Sequence, residues 1–119
     1  MRLVDYTLAK RATLSDLRGG RLSRRDVCDA HPELLRAARN VGEWASAPCP
    51  VCEAASLVHV TYVFADALHQ RSGRVWPSDG LADLHRSVDE AACYVVEVCT
   101  ACNWNHLAQC YLLGRDHVG

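Results

Sequence analysis

Two short motifs in this sequence can do chemistry: "CPVC", with Cys49 and Cys52, and "CTAC", with Cys99 and Cys102. A Cys-x-x-Cys turn aims two sulfurs at one point, because the residues between them curl back and face their N–H groups toward the thiolates. Two such turns at neighbouring ends of a sheet complete a tetrahedral four-thiolate site, with metal–sulfur distances near ~2.3 Å. Zinc is the favoured ion, since all-thiolate tetrahedral coordination suits it; iron is the lesser candidate. Zinc-site pairs usually stand about 15–20 residues apart, whereas residues 53–98 intervene here. That gap must hold an insertion at the tip of a hairpin.

Other readings of the pairs fit less well. A thioredoxin-like dithiol needs one Cys-x-x-Cys in a βαβ setting. Buried, unligated thiols explain single cysteines but hardly two matched pairs. A catalytic zinc keeps an open position with mixed ligands and a water, so a closed four-cysteine set reads as structural. No Gly-rich phosphate loop is present and the acids form no obvious pair, so the expectation is a protein that is not an enzyme.

Three cysteines remain. Cys93 and Cys110 fall in predicted strands and read as small core hydrophobes. Cys28 and His31 have Cys-x-x-His spacing, but with no second pair a structural cap or core role is expected. His106 follows the second motif and reads as packing beside it, or as a donor to it, because four cysteines already fill the site. The stretch "LRGGRLSRRD" gathers Arg18, Arg21, Arg24 and Arg25. A basic turn of this kind can contact phosphate backbones or other acidic partners. An exposed arginine-rich loop, or salt bridges to the acidic C-terminal part, explains it equally well. Trp44, Trp76 and Trp104 are scattered singly, which suits core packing better than base stacking.

Behind these motifs must stand elements that position them. The chain has 119 residues, 50% hydrophobic and 23% charged, which suits one globular domain or a compact domain with a helical appendage. Residues 1–47 carry nine basic and six acidic side chains, and the remainder four basic and eight acidic, so a basic first part meets an acidic second part. No apolar run is long enough to span a bilayer, and the N-terminus lacks a signal-peptide core. A cytoplasmic location with reduced thiols is therefore expected, and the odd count of seven cysteines argues against a disulfide framework.

"DYTLAKRATLSDLRGG" reads as a helix with Asp5 as N-cap and Leu8, Ala12 and Leu17 on its apolar face. Ser23 and Asp26 form a capping-box pattern. His31-Pro32 breaks the chain and opens another helix, with Leu34, Leu35 and Ala38 on one face and Gly42 at its end. "EWASAPCPVCEAAS" reads as a break. Residues 57–65, 92–98 and 105–114 read as strands, with a short one near Val75-Trp76. Leu81, Leu84 and Val88 mark a helix capped at Ser78/Asp79, and the tail 115–119 reads as frayed.

Taken together, "MRLVDYTLAKRATLSDLRGGR", "DVCDAHPELLRAA", "CPVC" and "VVEVCTACNWNHL…YLLG" resemble a family of small, uncharacterised actinobacterial proteins of unknown function. The resemblance covers nearly the whole chain. It implies a cytoplasmic bacterial protein and treats both cysteine pairs as one unit, but it brings no activity with it. More distantly, the C-terminal part resembles zinc ribbons, which in transcription and translation machinery are rigid docking elements.

The expected fold is α+β. Residues 1–44 form a basic segment of short helices, and residues 45–119 a zinc-ribbon-like antiparallel sheet with an inserted helix at about 79–91. The expected function is a non-enzymatic, structural-zinc protein that docks on a nucleic-acid machine, RNA polymerase or its DNA, through Arg18, Arg21, Arg24 and Arg25. The alternatives are a protein–protein adaptor with no nucleic-acid role, and a redox-sensing zinc protein whose thiolates release metal on oxidation.

Overall fold

Apolar, largely β-branched residues run along 56–64, interrupted by Ser56, His59 and Thr61, and almost unbroken along 91–98, interrupted by Glu97, and these two segments form the centre of the sheet. A computed structural model describes residues 3–117. Its elements are β1 (Leu3–Asp5), α1 (Thr7–Arg18), α2 (Arg24–Val27), α3 (Pro32–Val41), β2 (Glu43–Pro48) and β3 (Ser56–Phe64). After these come a 3₁₀ segment (Asp66–Arg71), β4 (Arg74–Val75), a 3₁₀ turn (Ser78–Gly80), α4 (Leu81–Ser87), β5 (Ala91–Val98) and β6 (Asn105–Leu113). The fold is α+β, as expected, with short helices around an antiparallel sheet in the order β1-β6-β5-β3-β2, and β4 beside β3. No helix among the described residues is long and apolar enough to cross a membrane.

Local signals account for most of the helix ends. Ser23 and Asp26 make the reciprocal capping box that opens α2. His31 caps α3 through its ring, which accepts from the Glu33 N–H at 3.1 Å, and Pro32 takes the first turn. Gly42 closes α3, where a Cβ would come within 2.3 Å of the Ala38 carbonyl oxygen. Asp5 does not cap α1 as expected; Tyr6 holds the N-cap position, and the Asp5 carboxylate accepts the Thr7 N–H two residues on. The apolar face of α1 is also shifted: Leu14 is buried and Leu17 half-buried, while Leu8 and Ala12 are exposed.

The inserted helix is shorter than expected. Ser78 does not cap it but donates its hydroxyl to Glu43 on β2 at 2.6 Å. The helix stops at Ser87, because Val88 turns extended and buries beside Leu84. The break predicted at residues 43–56 is partly strand: β2, at its start, pairs with β3 and runs across position 44/45, and β1 pairs with β6. Of the tail, Arg115 and Asp116 donate their N–H groups to the Val88 and Asp89 carbonyls rather than fraying; residues 118–119 lie outside the described residues.

Three apolar clusters hold the layers together. Because successive strand residues face opposite ways, β3 sends Leu57 to one side and Val58 and Val60 to the other. Val58, Val60 and Val98 pack under Ala30 and Ala38, with Leu34 and Leu35 of α3. On the opposite side Leu57, Trp104, Cys49 and Cys99 pack under Leu14 of α1 and Val27 of α2. At the far end, Val63, Leu68, Leu84, Val88, Cys93 and Leu113 form the third cluster, where the insertion folds back. Cys93 is fully buried there as expected, whereas Cys110 is only half-buried. Trp104 is fully buried and Trp76 half-buried, but Trp44, 78% exposed on the edge strand β2, is not a core residue.

Candidate metal centre

Each Cys-x-x-Cys motif is the turn of a β-hairpin. The chain enters the first knuckle from β2 and leaves on β3; it enters the second from β5 and leaves on β6. β3 and β5 are antiparallel neighbours, with Val58 opposite Val98. The start of β3 and the end of β5 therefore lie together, which brings the two knuckles to the same end of the sheet. The long separation in sequence is absorbed at the opposite end, in residues 65–90.

The two knuckles are built alike. Cys49 N–H donates to the Ala55 carbonyl and Cys99 N–H to the Trp104 carbonyl, both at 2.9 Å. The Glu53 and Asn103 N–H groups close the turns onto the Cys49 and Cys99 carbonyls at 3.1 and 2.9 Å. Glu53 and Asn103, each directly after the second cysteine, take positive φ of 57° and 72°. This left-handed residue lets the chain reverse without moving the sulfurs apart, and an asparagine tolerates it better than most. Backbone donors then face the sulfurs: Val51 N–H reaches Cys49 Sγ and Ala54 N–H reaches Cys52 Sγ, both at 3.4 Å.

The four sulfurs of Cys49, Cys52, Cys99 and Cys102 all lie within 4.8 Å of one another. Cys49 Sγ to Cys102 Sγ is 3.7 Å and Cys52 Sγ to Cys99 Sγ is 3.6 Å. A tetrahedron of sulfurs around an ion with ~2.3 Å bonds has edges of about 3.8 Å. The donor set thus fits one four-coordinate metal ion, held by all four cysteines. Cys49 and Cys99 are buried, while Cys52 and Cys102 close the solvent side. The Ala54 N–H beside Cys52 holds its thiol down to about 7, whereas burial pushes the Cys99 and Cys102 thiols up. A metal bound there would remove the protons from all four, and the N–H groups would offset part of the thiolate charge.

The helices over the site are tied to the second knuckle. Ala30 N–H donates to the Asn103 carbonyl at 3.1 Å, and Asn105 Nδ2 donates to Asp29 at 3.0 Å. Cys28, expected to be a cap or core residue, sits at the end of α2 with its Sγ 3.7 Å from Cys102 Sγ. It stands outside the group of four, and His31 is committed to capping α3. His106 stacks on Trp104 at 5.8 Å between ring centres, beside the knuckle.

Arg18, Arg21, Arg24 and Arg25 are all exposed, around the turn that joins α1 to α2. Arg21 pairs with Asp16 of α1 at 2.7 Å, not with an acid of the C-terminal part. Among the described residues no ion pair takes Arg18, Arg24 or Arg25.

A buried carboxylate was missed by the motif reading. Glu97 is only 4% exposed; it accepts the Trp104 indole N–H at 2.8 Å and pairs with Lys10 of α1 at 2.8 Å. The sequence held its signal: in "AACYVVEV" Glu97 falls in phase with Ala91, Cys93 and Val95, the buried face of β5.

A family of unknown function, DUF5318, matches residues 1–119. The chain belongs to this family. Similar proteins are the uncharacterized protein Rv0049 of Mycobacterium tuberculosis and the uncharacterized protein Mb0050 of Mycobacterium bovis. Each is 41% identical over 111 residues, covering 93% of this chain and 81% of the relative. The chain thus falls in an actinobacterial family, in line with the resemblance seen in the sequence. No solved structure matches it.

Proposed function

We propose that this chain is a non-enzymatic zinc protein of the cytoplasm that docks on a nucleic-acid machine, RNA polymerase or its DNA, through the arginine turn of residues 18–25. One observation carries the reading: four sulfurs gathered within 4.8 Å at the knuckle end, with the arginine-bearing helices pinned to that same end. Zinc is the chosen ion because an all-thiolate, tetrahedral donor set suits it best among the common divalent metals. A complete set of four protein ligands leaves no open position for water or substrate, which favours a structural role over catalysis. The ion joins the turns of two hairpins whose inner strands, β3 and β5, are already paired, and so fixes the ends of that ladder. The knuckle end then becomes a rigid base for exposed guanidinium groups, which suit phosphate and carboxylate partners.

Native mass spectrometry of the full chain tests the metal: one zinc ion is expected, lost on Cys49→Ser or Cys102→Ser. Fluorescence anisotropy with duplex DNA, and pull-down with purified RNA polymerase, test the docking. Binding should fall steeply with salt, and the salt slope should shrink when Arg21, Arg24 and Arg25 are replaced by Gln. Zinc-loaded chain with no salt-dependent affinity for either partner would sink the docking reading. A protein adaptor with no nucleic-acid role is the second reading, favoured by the exposed indole of Trp44 on edge strand β2. It requires protein capture that is insensitive to salt and lost on Trp44→Ala.

A further inference from the structure

Five cysteines, not four, meet at the knuckle end. Cys28 Sγ lies 3.7 Å from Cys102 Sγ, as close as Cys49 Sγ does, although 74 residues separate Cys28 from Cys102 in sequence. Cys28 takes no place in the four-sulfur group, so once a metal is bound it remains a free thiol against a ligand thiolate. It is half-buried and so reachable by a small solute, whereas Cys49 and Cys99 are fully buried.

We propose that Cys28 is an oxidation site that opens the metal centre: a peroxide converts the Cys28–Cys102 pair into a disulfide, which removes Cys102 from the ligand set. This rests on the metal reading above and adds a regulated state to that site.

The chemistry balances with a peroxide as the only co-reactant. The Cys28 sulfur attacks the peroxide O–O bond, becoming a sulfenic acid and releasing water, or an alcohol from an alkyl peroxide. The proton of the Cys28 thiol leaves in that water or alcohol. The Cys102 thiolate then attacks the Cys28 sulfur and expels hydroxide, which takes a proton from solvent. Two electrons leave the sulfurs, and one O–O bond is broken. The ion keeps three thiolates of the original four and is held more weakly.

The movement required is small. The sulfurs must close from 3.7 Å to the disulfide length of about 2.05 Å. Cys28 lies where this is easiest, at the end of a helix of four residues, in the four-residue connection to α3. Its backbone is fixed at one point by its own N–H to the Arg24 carbonyl, and the next fixed point is Ala30. The same segment follows α2, which carries Arg24 and Arg25, so the disulfide pulls on the basic turn as it opens the metal site.

A bystander role makes a different prediction. There the Cys28 S–H does no more than donate a hydrogen bond to the Cys102 thiolate, and a serine hydroxyl serves the same purpose. The test uses the full chain, reduced and zinc-loaded, treated with hydrogen peroxide while a chromophoric chelator reads released zinc. Peptide mapping after thiol blocking reads the disulfides. Wild type should release zinc as a Cys28–Cys102 disulfide accumulates, and a dithiol reductant should reverse both. Cys28→Ser should hold zinc at rest yet release it roughly tenfold or more slowly, because the intramolecular second step is gone. Equal release rates for wild type and Cys28→Ser, or disulfides confined to Cys49, Cys52, Cys99 and Cys102, overturn the proposal. If the reduced chain holds no zinc, the metal reading falls, and mapping of peroxide-treated wild type alone decides whether Cys28 and Cys102 pair.

Discussion

The Glu97 carboxylate accepts the Trp104 indole N–H at 2.8 Å, tying the end of β5 to the residue that follows the second knuckle. Both side chains are buried, and Lys10 of α1 supplies the compensating charge at 2.8 Å. The pair does two things for the metal centre. It orients the ring that walls the cysteine cluster, and through Lys10 it fixes α1 above that ring. Trp104→Phe keeps most of the packing but takes the indole donor from Glu97 Oε2, which is left with Lys10 Nζ alone. The expected loss is about 1–3 kcal/mol, read as a lower urea midpoint with an unchanged slope. A variant as stable as wild type would show that the hydrogen bond is replaced by solvent.

Removing a metal held by the four cysteines should act on one end of the molecule. The knuckle cluster is built around Cys49 and Cys99, whereas the far cluster of Val63, Leu84, Val88 and Leu113 shares no residue with it. Without an ion the four sulfurs must take up protons or repel, and the turns at 49–55 and 99–104 lose their anchor. Hydrogen exchange on chelator-treated chain should show those amides exposed while amides of 60–64 and 92–95 stay protected. Uniform loss of protection across β3 and β5 would mean that the metal holds the whole sheet.

The cysteine site was legible because its signal is local: two matched motifs, each beside an apolar strand pattern. The antiparallel return of β5 along β3 followed from the same strands. What stayed hidden had no local signature. β1 is three exposed residues whose only cause is pairing with Tyr111, Cys110 and Gln109 of β6. β2 carries a register shift between Trp44 and Pro48, positive φ at Ser46 and a proline, so its pattern reads as a break. The placement of Cys28 against Cys102 depends on how α1 and α2 pack onto the knuckles, a tertiary matter that spacing along the chain does not encode. Glu97 was visible in phase with the buried face of β5, but naming Lys10 and Trp104 as its partners needed the packing of α1.

Gly114 supplies a test of the chain's exit from β6. Its φ is +123°, and a Cβ there would lie 2.3 Å from the Asp89 carbonyl oxygen. Its N–H donates to His85 Nδ1 at 2.8 Å, so the backbone cannot easily shift away. Gly114→Ala should cost about 3 kcal/mol or more, because strain and clash fall on backbone atoms. Thermal unfolding followed by circular dichroism measures it. The far cluster should loosen, while the metal-binding capacity of the four cysteines at the opposite end stays as in wild type.

Alkaline pH should weaken the far cluster in a defined window. Burial pushes the Cys93 thiol up from its ordinary value near 9 to about 11. Burial, with the neighbouring Cys93 charge adding to it, likewise pushes Tyr111 up to about 12. Below pH 9 both the folded and the unfolded chain keep the Cys93 proton, so this group adds no pH dependence. Between pH 9 and about 11 the unfolded chain loses the proton while the folded chain retains it, and stability falls as pH rises. Above about 11 both forms are ionised and the Cys93 contribution levels off. Cys93→Ala removes this part of the curve while other titrating groups remain. The stability difference between wild type and Cys93→Ala, from urea unfolding, should be constant up to about pH 8.5 and then shift against wild type through the window. A difference that stays flat to pH 11 would show that water reaches the Cys93 sulfur, and that β5 and β6 part there more readily than their pairing implies.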